Sequence, residues 1–336
     1  MKRYIITILC IGAWLLVCPM QSCANGGNSP SNTLTLTDSP STGSGAVDSG
    51  TAVAEPAEGK TTPASIGTPT VAEPAEAKMV AEFIEGLLKQ SSKQPSKTNV
   101  PLFFARQFLD VPYVAHTLEV NDEEALVINT RELDCTTLVE TVTALTLCAY
   151  RQEFSFQAYK QALQAMRYRN GVIDCYPSRI HYFTDWIVEN TKAGIVTEIQ
   201  QPNPPFTQIQ TVKVNYMSQH PRSYKALREH PEFVSEIADM EQRISGSKFR
   251  YIPKSGIKNT PAMREAVHDG DIIAITCNKP GLDIAHLGFA VWRNDGLHLL
   301  NASQLHKKVV EEPMTLYQYL QKHPSHTGIR VIRINQ

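Results

Sequence analysis

The 336-residue chain carries no excess of either charge: 32 Lys and Arg against 33 Asp and Glu give a net charge of -1. With both signs interspersed there is no basic footprint, which excludes nucleic acid as an expected partner. Ten histidines are present without a His-Glu-x-x-His pair, and His116, His220, His230 and His323 stand alone in loop or polar contexts. No metal and no cofactor is therefore expected. No solenoid period is visible. The apolar run from Tyr4 to Val17, behind Met1, Lys2 and Arg3, is too short for a lasting membrane span. From Ala24 to Lys78 there is no aromatic residue at all, so that stretch cannot bury enough apolar surface to offset its chain entropy.

What is present sorts into three parts. Residues 1–22 read as a secretory signal. Ser22-Cys23 resembles the cleavage and lipidation box of bacterial lipoproteins, so Cys23 is expected to carry acyl chains that hold the protein to a membrane. The expected location is that of an exported lipoprotein, periplasmic or outer-membrane associated. Residues 23–78 are rich in Ser, Thr, Pro, Gly, Ala and Glu and nearly repeat Val-Ala-Glu-Pro-Ala-Glu at 53–58 and 71–76. They read as a disordered tether with a reach of about 40 Å. Residues 79–336 form the folded domain. The sequence carries no sign of oligomeric state.

Four cysteines remain in that domain, Cys135, Cys148, Cys175 and Cys277. A domain of this size needs no disulfide staples, so free thiols are expected. Periodicity predicts helices over 79–90, 101–110, 135–150, 154–167, 177–191, 222–243 and 314–322. It predicts strands over 124–129, 195–200, 210–217, 249–252, 271–276, 286–293, 297–302, 307–310 and 328–334. Helices first and an antiparallel meander later is an α+β layout.

Chemistry concentrates at Leu-Asp-Cys-Thr-Thr-Leu-Val-Glu, 133–140. Cys135 opens a helix whose apolar residues recur at 138, 139, 142, 145 and 149. Cys148 lies on its buried side. The unpaired amides and positive dipole end of a helix N-terminus favour a thiolate and can hold an oxyanion. A thiolate needs an imidazole, and His286 at the start of Ile284–Trp292 is the candidate base and acid. The next strand offers His298 and Asn301 on opposite faces, so at most one can orient His286. Asn301, near the strand end, is the choice, with His298 left open. Arg179 and Tyr182 are expected on one helical face, i and i+3, with His181 beside them, lining a cleft or else packing structurally. Asp134 caps the helix or meets a substrate amine.

These features together resemble the NlpC-like cell-wall cysteine hydrolases of the papain superfamily: Asp134-Cys135 opening a helix, a His-Leu-Gly strand, then a strand ending in a polar residue. More closely, residues 101–336 resemble a branch of cell-wall amidases, formerly a domain of unknown function. The signs are Val111-Pro112-Tyr113 ahead of Thr117-Leu118, the Leu-Asp-Cys-Thr-Thr-Leu-Val-Glu core, and Tyr168-Arg169-Asn170-Gly171 leading to Ser178–Trp186. The resemblance implies a papain-like fold with a central antiparallel sheet and additional helices. It implies an N-acetylmuramoyl-L-alanine amidase acting on peptidoglycan or muropeptides without metal. Cys135 would then be nucleophile, His286 base and acid, Asn301 orienter, and Tyr113 an aid to the oxyanion. Two rivals stand beside it: an endopeptidase that cuts inside the stem peptide, and a non-catalytic cell-wall binding lipoprotein.

Overall fold

Two faces of one sheet are covered by helices, and the active-site candidates gather at one end of that sheet. The structure, a computed structural model, describes Ile6–Thr7 and residues 74–336. The signal, Cys23 and the tether therefore fall outside the described residues, apart from Ile6–Thr7 and residues 74–78.

β1 (Ile6–Thr7) pairs with β2 (Val127–Ile128) as a separate two-stranded ladder. The main sheet contains β3 (Val196–Ile199), β4 (Gln208–Thr211), β5 (Lys248–Pro253), β6 (Ile272–Cys277), β7 (Ile284–Trp292), β8 (Leu297–Ser303), β9 (Lys308–Glu311) and β10 (His326–Ile334). Its order is β4-β5-β10-β6-β7-β8-β9, with β3 also pairing β10, and these pairings are antiparallel. Mixed helices and an antiparallel sheet make the fold α+β.

Helices α1 (Pro74–Ser91), α2 (Val100–Arg106), α3 (Cys135–Tyr150), α4 (Phe156–Arg167) and α5 (Phe183–Lys192) supply one covering layer. The other layer comes from α6 (Tyr216–Gln219), α7 (Lys225–Glu229), α8 (Phe233–Ile244), α9 (Pro261–Ala266) and α10 (Leu316–Gln321). The two-residue period of the strands splits their side chains between the layers. Ile272, Ala274, Leu287, Phe289 and Leu300 pack with the first, whereas Ile273, Ile275, Ala290, Leu297 and Leu299 pack with the second. Covering on both faces is why β6 reads as an unbroken apolar run.

The predicted helix over 222–243 is two helices, α7 and α8, parted at Pro231, which has no N–H to continue the ladder and forces His230 out of the helical region. The predicted helix over 177–191 begins only at Phe183. Tyr176–Ser178 is a 3-10 turn, and Arg179 (ψ 142°) and Tyr182 (ψ 136°) are extended. Arg179 and Tyr182 therefore do not share a helical face. The predicted strand over 210–217 ends at Thr211, and its last residues open α6. The first helix starts at Pro74, inside the predicted tether, where proline suits a first helical turn. Cys135, Cys148, Cys175 and Cys277 are free thiols, and Cys148 is buried in the first layer.

Candidate active site

Cys135 is the first residue of α3, and its entry into the helix is fixed by a capping box. The Asp134 carboxylate accepts from the Thr137 N–H at 2.7 Å, and the Thr137 hydroxyl accepts from the Asp134 N–H at 2.9 Å. Each satisfies an otherwise orphan donor. The Cys135 side chain is 4 % exposed. Burial first and Asp134 second push the thiol up to about 12, against a lowering influence of the Leu287 main chain of β7 and the Thr136 side chain. Loss of solvent on burial thus opposes the thiolate that the helix terminus favours.

His286 lies one residue before Leu287. The β6–β7 register shifts between Ile275↔His286 and Thr276↔Ile284, a bulge that re-aims the strand at this point. The ring is 6 % exposed. It stacks on Tyr319 of α10 at 6.4 Å between centroids. Its Nε2 is 2.9 Å from Asn301 Oδ1. Asn301 Nδ2 in turn donates to Glu312 Oε1 at 3.2 Å, so the amide oxygen faces the ring and accepts from Nε2–H. The nitrogen left with a lone pair is Nδ1. Burial holds the imidazole below its ordinary 6.5, against the hydrogen bond from Asn301 and the charge of Glu312. His298 points elsewhere: its Nδ1 donates to the Glu312 carbonyl and its Nε2 meets Asp295, both at 2.9 Å.

The remaining candidates divide. Tyr113 bridges to Leu133, and burial first, then the nearness of Cys135, Asp134 and Tyr319, raises its phenol. A cleft of about 90 Å³ has Asp134, Thr136, Glu119, Arg179 and His181 in its wall, flanking the start of α3. It shares Leu118, Glu119 and Tyr176 with a neighbouring cavity of about 240 Å³. Arg179 is 7 % exposed and binds Glu119 at 2.7 Å and Glu124 at 3.1 Å. His181 bonds the Tyr176 carbonyl at 3.0 Å and lies against its ring at 4.4 Å between centroids, tilted by 39°. Burial, then the Arg179 charge, lowers it to about 3. Tyr182 is corrected outright: fully buried in the second layer, it donates to Glu241 at 2.7 Å and lines neither cavity. Sequence reasoning missed Glu312 and Tyr319. Neither sits in a motif, and both reach His286 only through the folding of β8, β9 and α10.

Residues 103–329 match the family model AmiA-like, N-acetylmuramoyl-L-alanine amidase-like. No curated protein matches the chain. Among solved structures, an N-acetylmuramoyl-L-alanine amidase from Bacteroides uniformis is 41 % identical over 74 % of this chain and 100 % of its own, with a TM-score of 0.66. A chain from Bacteroides fragilis, provisionally described as a xylanase, is 41 % identical over 69 % of this chain and 99 % of its own, with a TM-score of 0.64. A Legionella pneumophila protein at 21 % identity, covering 78 % of this chain and 96 % of its own, shares the fold with a TM-score of 0.60.

Proposed function

Since the chain belongs to the AmiA-like family of N-acetylmuramoyl-L-alanine amidase-like proteins, we propose that it hydrolyses the amide between muramic acid and the stem peptide with Cys135 as nucleophile, in a papain-like arrangement of the NlpC type. The supporting observation is that Cys135, opening α3, packs in one cluster with Leu287, the residue after His286, whose ring is fixed at 2.9 Å by Asn301.

With both groups neutral at rest, His286 Nδ1 takes the thiol proton as Sγ attacks the lactyl carbonyl carbon. The carbonyl electron pair moves onto oxygen. The cap uses the Thr137 N–H, and the Leu138 N–H bonds the Asp134 carbonyl. The amides of Cys135 and Thr136, with the Tyr113 hydroxyl, are left to hold that oxyanion. Collapse breaks the C–N bond, and the alanine nitrogen leaves with the proton from Nδ1. Water, deprotonated by His286, then cleaves the thioester and returns the thiol. Asp134, Arg179 and His181 border the substrate cleft. A signal over 1–22 and a lipid on Cys23 complete the proposal, placing the domain at a membrane facing peptidoglycan.

A glycosidase reading, prompted by the Bacteroides fragilis neighbour, needs a carboxyl pair free to act as acid and base or nucleophile. Here Glu119 and Glu124 are bound to Arg179, Glu140 is bound to Arg167 at 2.7 Å, and Asp134 caps α3. The thiol and imidazole have no part in such chemistry. The deciding experiment digests a defined muropeptide and weighs the products. Free sugar plus an intact stem peptide is expected; a shortened stem still on the sugar would mean an endopeptidase, and an uncut substrate a binding protein.

A further inference from the structure

We propose that Glu312 is a positioning residue for the reaction, selecting through Asn301 the imidazole nitrogen that His286 presents to Cys135; this rests on the reading of His286 as the base. Glu312 follows β9 and is fully buried. Its main chain is tied on both sides, the N–H donating to the Leu299 carbonyl at 2.8 Å and the carbonyl accepting from His298 Nδ1 at 2.9 Å. One carboxylate oxygen accepts from Asn301 Nδ2 at 3.2 Å. The other meets His306 Nε2 at 3.1 Å. A carboxylate taken out of water costs several kcal/mol unless its partners compensate, so this placement is not neutral filler.

An asparagine amide is nearly symmetric in shape, and packing alone does not decide which of its ends faces a neighbour. Glu312 does decide it. A carboxylate only accepts, so Nδ2 must turn toward it and Oδ1 toward the ring. Oδ1 only accepts, so the ring proton must sit on Nε2, and Nδ1 keeps its lone pair. The path from Glu312 to the base is thus two hydrogen bonds long, with each donor and acceptor forced. His298, the alternative orienter in the sequence, contributes one step further out by holding the Glu312 carbonyl.

Glu312→Gln keeps the shape but adds a donor, which allows the Asn301 amide to flip. The expected result on a defined muropeptide is a kcat lower by roughly 10- to 100-fold with KM little changed. In an Asn301→Ala background the same substitution should cost far less, because the amide path is already broken and only the charge of Glu312 at the imidazole remains. Losses that multiply, or a full kcat in Glu312→Gln, overturn the inference. Nitrogen NMR of His286 in the Cys135→Ala protein, with Glu312 intact, reads the tautomer directly even if Glu312→Gln fails to fold. Protonation on Nε2 is expected, and protonation on Nδ1 overturns the inference. Hydrolysis that survives Cys135→Ala would instead overturn the underlying reading of the site.

Discussion

A β-carbon at Gly288 would stand 2.6 Å from the Leu300 carbonyl oxygen, so β7 and β8 close on each other directly beside His286 and Asn301. Gly288→Ala must push the strands apart there. Overpacking of this kind costs about 1–3 kcal/mol, and the His286–Asn301 hydrogen bond lies at the place that has to give. Urea unfolding and kcat should both fall; an unchanged midpoint with full activity would contradict the close approach.

Asn301 and His298 share a strand but not a task. Asn301→Ala frees the His286 ring to rotate and to change tautomer, and kcat should drop roughly 10²-fold. His298→Gln, whose parent ring touches Glu312 and Asp295 but not His286, should cost less. Steady-state rates of the two variants on one muropeptide give the ranking, and the reverse order would refute it.

The pH profile follows from the two buried groups. His286 sits below its ordinary 6.5 and Cys135 at about 12, so the reactive neutral pair exists between those limits. Activity should show its acidic midpoint below pH 6.5 and no alkaline fall where an ordinary thiol, near about 8.5, titrates. An acidic midpoint at or above 6.5 in kcat/KM would rule this out.

His181 predicts acid lability. Its folded value of about 3 lies below its unfolded 6.5, so the unfolded chain binds the proton first. Stability is whole above pH 6.5 and drains as pH falls toward 3. At about 1.4 kcal/mol per unit, discounted for partial exposure, the loss approaches about 2 kcal/mol. His181→Gln should flatten the fall in unfolding free energy below pH 6.5, and an identical slope in both proteins would exclude His181 as its source.

Arg179 is held by two carboxylates in a buried site. Arg179→Met leaves Glu119 and Glu124 without their cation, which should destabilise the fold by about 3–5 kcal/mol. A melting temperature equal to that of the unaltered protein would show that the cluster is not the structural element described here.

Much of this arrangement was readable along the chain because it rests on local signals. Asp134 and Thr137 mark the start of α3, the apolar period carries α3 to Tyr150, and β-strand alternation separates Asn301 from His298. Other parts depend on tertiary packing. Nothing local at residues 177–182 distinguishes a helix from the extended path that sends Tyr182 to Glu241. The raised Cys135 thiol is a property of burial, which no local signal announces. Glu312 gives no sign in sequence, since its meaning depends on β8 and β9 lying side by side.

Strand β10 lies inside the sheet between β5 and β6, and this order makes the whole platform depend on it. Without His326–Ile334 no element joins β6 to β5, and the platform under His286 is unfinished. A polypeptide cut before His326 should therefore lose the packing around His286 together with the strand itself.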